Sequence, residues 1–147
     1  MKTQSDDTWT ATGLLGGANV LGHVPNDLDW IRLVRGGLPF NCLVAFGKNL
    51  GLPLKEVAHY INVSPTTLAR RRQIGHLSPI ESERLLRVAK VIAQAIDLFE
   101  SAETAMEWLR EPHALLGGAT PISLLDTEIG AKLVARELRS IEYGLPA

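Results

Sequence analysis

The tetrapeptide Ser78-Pro79-Ile80-Glu81 constrains this chain more than any other short stretch. Serine at the N-cap and glutamate three residues on form a capping box, and proline suits the first helical turn. Behind it Leu85, Leu86, Val88, Ala89, Ile92, Ala95, Ile96 and Phe99 hold a helical period to about Glu100. The same punctuation recurs along the chain. Asp27 to Val34 reads as a short helix ended by Gly36-Gly37, and Pro39 opens a helix to Leu50 with Leu43, Val44 and Phe46 inward. Pro53 opens another, with Val57, Ala58 and Ile61 as its buried stripe. Ser64-Pro65 caps a helix to about Ile74, and Gly75 ends it. Ser101 caps a helix holding Met106, Trp108 and Leu109. Pro112 to Ala119 is a loop, and Thr120-Pro121 caps one turn through Leu125. A last helix from about Thr127 carries Ile129, Leu133, Val134, Leu138 and Ile141, with Ile129, Leu133 and Leu138 expected in the core, and stops at Gly144. No segment reads as a strand, so the expected fold class is all-α.

Three regions follow. Residues 1–26 are polar and then Gly-rich with no period, and read as a flexible N-terminal arm able to order against the body or a neighbouring subunit. Residues 27–77 hold a helix-turn-helix, and residues 78–147 a C-terminal helical domain.

The motif is LKEVAHYINVSPTTLARRRQ. Ala58 is the small residue where one helix crosses the other, and Asn62 tolerates the positive φ of the turn. Val63 and Leu68 are the apolar anchors. The residue three after Leu68 is usually apolar, and here it is Arg71, whose stem can cover the core while its head reaches a phosphate. The expected DNA-reading residues are Ser64, Thr66, Thr67, Arg70, Arg71 and Arg72. The plainer alternative is a helical hairpin with a solvated basic face.

Net charge is −1, so the whole chain does not attract nucleic acid. From Lys48 to His76, however, Lys48, Lys55, Arg70, Arg71 and Arg72 stand against Glu56 alone. From Leu77 onward seven basic residues face eleven acidic ones. A basic middle beside an acidic end fits DNA on one side and a basic protein surface on the other.

Enzyme chemistry has no foothold. Cys42 is the only cysteine and sits in the apolar run Phe40 to Phe46, which suits a buried structural thiol. His23, His59, His76 and His113 are scattered without metal-ligand spacing, so neither a metal nor a cofactor is expected. No run of about 18 apolar residues exists, and the N-terminus is a poor signal peptide, which leaves the cytoplasm as the default location.

Five stretches carry a family resemblance: LVRGGLP (Leu33 to Pro39), SPTTLARRR (Ser64 to Arg72), ESERLLRVAKV (Glu81 to Val91), WLREPHALLGGATPISLLDTEIGAKLV (Trp108 to Val134) and LRSIEYG (Leu138 to Gly144). In these the chain resembles the Xre/MbcA/ParS-type antitoxins of bacterial type II toxin–antitoxin systems, over roughly Asp27 to Leu145. The resemblance implies a toxin-binding C-terminal domain and a cognate toxin with a RES domain that consumes NAD or ADP-ribosylates a target. It also implies a homodimer that represses its own operon at an inverted repeat. The antitoxin's C-terminal end lies over the toxin's active site in such complexes, which assigns toxin binding here to Arg139, Glu142, Tyr143, Gly144 and Leu145. The competing reading is a stand-alone dimeric helix-turn-helix regulator without a toxin.

Overall fold

The computed structural model describes residues 8–144. In chain order the helices are α1 (Ala11–Leu14), α2 (Gly17–Leu21), α3 (Asp27–Gly36), α4 (Phe40–Leu50), α5 (Leu54–Tyr60), α6 (Pro65–Ile74), α7 (Pro79–Phe99), α8 (Ala102–Arg110) and α9 (Glu128–Glu142). Two 3-10 turns, Ala114–Leu116 and Pro121–Leu124, fill the passage from α8 to α9. The fold is all-α, and a single isolated bridge joins Pro39 to His76 among the described residues.

Helix α7 is the axis of the molecule. Its capping box forms as the sequence expects: Ser78 Oγ accepts from Glu81 N at 3.2 Å, and Ser78 N donates to Glu81 Oε1 at 2.9 Å. Ten of its residues are buried, against α1, α3, α8 and α9. One apolar core therefore runs from Leu43, Phe46, Val57 and Ile61, through Leu85 and Ile92, to Leu109, Val134 and Leu138. At its helix-turn-helix end, Ser82 is fully buried; its Oγ accepts from Leu38 N at 2.8 Å and donates to Ser78 O at 2.7 Å. That serine satisfies a buried backbone donor, which would otherwise cost about 1–3 kcal/mol.

Where it is described, the N-terminal arm is ordered against the body of the molecule. Leu14 and Leu15 are fully buried, and Asn49 Nδ2 donates to the carbonyls of Gly13 and Leu14 at 3.3 and 3.2 Å. Burying each leucine is worth about 2 kcal/mol. Gly16 makes the corner between α1 and α2 at φ +108, a conformation glycine adopts without strain. Residues 1–7 lie outside the described region.

Two apolar expectations fail on α9, and one on α4. Ile129 and Leu133 face outward, as does Val44, whereas Gly130, Ala131, Val134 and Leu138 are the buried side of α9. The reason is close approach. A Cβ on Gly130 would lie 1.8 Å from Leu124 O, so the helix meets the preceding 3-10 turn on its glycine side.

Candidate functional site

Two surfaces carry the residues singled out by the sequence. The first is α6. Asn62 takes φ 58 in the turn before it, as the motif requires. Ser64 caps the helix, accepting from Thr67 N at 3.2 Å and donating to Thr67 Oγ1 at 3.0 Å. These two hydroxyls therefore organise the helix start. No residue of α6 is fully buried. At about 3.6 residues per turn, Thr66, Ala69, Arg70 and Gln73 share its outward side, and all four are exposed. Arg70 is thus free to reach a partner.

Arg71 goes elsewhere. Its Nε donates to Glu81 Oε1 at 2.8 Å and its Nη2 to Glu81 Oε2 at 3.2 Å, a bidentate pair that fastens α6 to the start of α7. The head meets a carboxylate rather than open solvent. Arg72 lies beside Phe40, its guanidinium carbon 5.6 Å from the ring centroid. Of the three arginines, Arg70 alone stands free of such contacts. Gln73 shares this exposed side although the sequence analysis did not single it out. The signal was available, since it lies three residues after Arg70 and seven after Thr66.

The Glu81 carboxyl shows how firmly Arg71 is held. Burial alone would raise its pKa, but the hydrogen bonds from Arg71 and Ser78 outweigh that and hold it below the usual value. A group depressed in the folded state contributes stability that is complete above the unfolded pKa and lost as pH falls through the folded one. Stability should therefore decline on acidification below about 4.5, the ordinary value for this carboxyl. Glu81→Gln should be weaker at neutral pH and show a flatter acid dependence. Arg71→Ala leaves a buried carboxylate without its partner, and should cost about 1–3 kcal/mol of stability at pH 7. Urea unfolding at pH 7 and pH 4 reads both effects. Equal stability of wild type and Arg71→Ala at pH 7 would show that the pair is not structural.

A second tie joins the α5–α6 region to the C-terminal half. Glu56 on α5 accepts hydrogen bonds from the Tyr60 hydroxyl and from Arg110 on α8. Burial would raise Glu56, yet these two donors bring it below its usual value.

The second surface is the end of α9. From beneath, Arg87 Nη1 donates to Leu125 O at 3.2 Å, and Gln94 Nε2 donates to Ala135 O at 3.0 Å. Thr127 caps the helix by accepting from Gly130 N at 3.0 Å. On top, Arg139, Glu142 and Tyr143 are exposed and form no side-chain hydrogen bond or ion pair with the described residues. Tyr143 is 73% exposed. Gly144 ends the helix at φ +67. Leu145 lies outside the described residues. The upper side of α9 also carries Arg136 and Lys132, the latter paired with Glu128 at 3.5 Å.

Neither surface has the makings of a catalytic centre. Burial pushes the Cys42 thiol up to about 12, which keeps it a protonated core residue at neutral pH. Among the described residues, no group of three His, Cys, Asp or Glu side chains could hold a metal, and no helix is long and apolar enough to cross a membrane.

Comparison with known proteins divides the chain at α7. Residues 29–90 match the Xre-like helix-turn-helix domain of antitoxins, and residues 94–144 match the Xre/MbcA/ParS antitoxin C-terminal toxin-binding domain. The start of α7, to residue 90, therefore belongs to one match and its end, from residue 94, to the other. The chain is 32% identical over 127 residues to the Prs ADP-ribosylating antitoxin of Sphingobium sp. (strain YBL2), covering 80% of each chain. It is 35% identical over 96 residues to antitoxin Xre of Yersinia enterocolitica, covering 64% of this chain and 65% of that one. With antitoxin Xre of Photorhabdus laumondii it shares 39% identity over 72 residues, about half of each chain.

Proposed function

We infer the function of this chain from one premise: it belongs to the Xre/MbcA/ParS family of antitoxins, with a helix-turn-helix domain and a toxin-binding domain. It is a binding protein that neutralises a toxin, and not an enzyme. Beyond that premise, the cognate toxin is a RES-domain protein that acts on NAD, and neutralisation comes from the end of α9 covering its active site. One observation carries this reading. Arg139, Glu142 and Tyr143 stand exposed at the end of a helix that is fixed from beneath by α7. A pocket that binds NAD must receive phosphates and flat rings. Glu142 can pair with a pocket arginine, and Tyr143 can stack as a base does. The name of the Sphingobium relative couples antitoxin with ADP-ribosylation, a reaction that uses NAD.

The test is a pull-down from the native host with the tagged full-length protein. The partner is identified by mass spectrometry and assayed for NAD consumption before and after the antitoxin is denatured away. The expected result is one stoichiometric partner, silent in the complex and active once released. Retention of operator DNA with no protein partner would favour the stand-alone regulator.

The same protein represses its own operon through α6. Thr66, Arg70 and Gln73 supply the base-reading side: arginine pairs bidentately with guanine, glutamine with adenine, and threonine meets the thymine methyl. Arg72 and the Ser64–Thr67 pair sit where phosphates pass, and Arg71 holds the helix in place. Arg70→Ala and Gln73→Ala should each weaken operator binding by about 1–3 kcal/mol and relax preference at one base position. Arg72→Ala should instead lower affinity evenly across sequences and flatten the salt dependence. Selection from randomised duplexes, followed by titration at two salt concentrations, separates these outcomes. Unchanged selection by Arg70→Ala would remove α6 from base reading.

A further inference from the structure

We propose that residues 9–21 are an internal clasp that makes the helix-turn-helix half and the toxin-binding half open and close as one unit. The segment precedes both family matches, which begin at residues 29 and 94. Its helices α1 and α2 have four and five residues, too few to persist on their own propensity. Their order comes from what they rest on.

The clasp spans the junction of the two halves. Helix α7 passes from one match to the other between residues 90 and 94. At one end of the clasp, Trp9 and Thr10 line a cavity with Ile96, Asp97, Glu100 and Ala102, at the corner between α7 and α8. That corner belongs to the toxin-binding match. At the other end the chain lies on α4, within the helix-turn-helix match. A Cβ on Gly16 would stand 3.3 Å from Ala45 Cβ, and Asn49 Nδ2 donates to the carbonyls of Gly13 and Leu14. Between these ends Leu14 and Leu15 are fully buried in the shared core, and α1 packs on both α4 and α7. Residues 22–24, which lead on towards α3, are exposed. The clasp is therefore seated by its own packing and not drawn in by the link that follows it.

This placement sets how the molecule opens. A continuous helix does not by itself make its two ends cooperative, because local openings spread as far as shared buried contacts carry them. The Glu56–Arg110 pair also crosses between the halves, but both side chains are partly exposed, and ion pairs so placed hold little. Opening of either half must release the clasp or carry the other half with it. Release would bring two fully buried leucines into water, which favours the second course. A partner bound by one half then steadies the other by mass action.

The test uses the full-length chain and needs neither toxin nor operator. Val134 on α9 is fully buried, so Val134→Ala loosens the toxin-binding half from within. Native-state hydrogen exchange, read peptide by peptide by mass spectrometry, follows the slowest amides of α4 and α9. With the clasp seated, Val134→Ala should speed both helices by the same factor, about tenfold or more. Leu15→Asp puts a charge into the core and expels the clasp. In that background Val134→Ala should still speed α9, while α4 responds by less than about twofold. Circular dichroism checks that each variant keeps its helices. Where Leu15→Asp loses them, Asn49→Ala decides. It removes both side-chain bonds to the clasp, and the response of α4 should then fall below that of α9. The proposal is overturned if α4 ignores Val134→Ala in the otherwise natural chain, or if α4 still follows α9 equally once the clasp is expelled or loosened.

Discussion

Gly130→Ala should cost this protein about 3 kcal/mol of stability, although the same change in an ordinary helix interior gains about 1 kcal/mol. The sign reverses because of what the new methyl meets. It would stand 1.8 Å from Leu124 O, 2.8 Å from Leu124 C and 3.0 Å from Leu124 Cβ. Two of those atoms are backbone and cannot rotate away. Either the 3-10 turn at Pro121–Leu124 must shift, or α9 must lift. The turn is held by buried Pro121 and Ile122 and is followed by fully buried Leu125. Lifting α9 strains the Thr127 cap and the Gln94 bond to Ala135 O, and it opens the contact of Val134 and Leu138 with the core. Urea unfolding of the two proteins measures the difference directly. A Gly130→Ala protein as stable as wild type would mean that α9 docks less tightly than this contact requires.

The same glycine marks the limit of what the sequence could say about α9. Two apolar rows run along that helix, one through Ile129 and Leu133, the other through Val134 and Leu138. Periodicity accepts both. The choice between them rests on a side chain that is missing, at Gly130, and on a carbonyl six residues earlier that fills the space. Elsewhere local chemistry was sufficient. Ser64, Ser78, Ser101 and Thr127 each cap the helix they were expected to start, because a cap is a contact between residues three apart. The N-terminal segment defeats such reasoning for the opposite reason. A four-residue helix such as α1 has no measurable period, and the groups that order it, Asn49 and α7, come from far along the chain. Arg71 follows the same logic. Its position in the motif was plain, but its partner Glu81 belongs to the next helix and already serves a cap there. The free Arg70 and the paired Arg71 are neighbours in sequence, and only the packing of α6 on α7 separates them.

Deleting Glu142–Ala147 should leave the fold intact and abolish neutralisation. The last buried residue of α9 is Leu138, and half-buried Ile141 is retained in the shortened chain. Glu142, Tyr143 and Gly144 are exposed, so their removal should change stability by no more than about 0.5 kcal/mol. The proposed role of these residues in inhibition predicts a much larger effect. An interfacial tyrosine and a desolvated carboxylate are the kinds of side chain whose removal costs about 2–4 kcal/mol each. Affinity for the toxin should then fall by about a hundredfold or more. The measurement is a titration of toxin NAD consumption with full-length and shortened antitoxin, alongside direct binding of each to the toxin. Binding without inhibition would identify the tail as a plug seated on an anchor elsewhere in the domain, and Lys132, Arg136 and Leu133 on the exposed side of α9 would be the first residues to test as that anchor. Loss of both would make the tail the anchor itself. Full inhibition by the shortened chain would exclude the tail altogether. Tyr143→Ala and Glu142→Gln then divide the effect, since stacking depends on the ring and pairing with a pocket arginine on the charge.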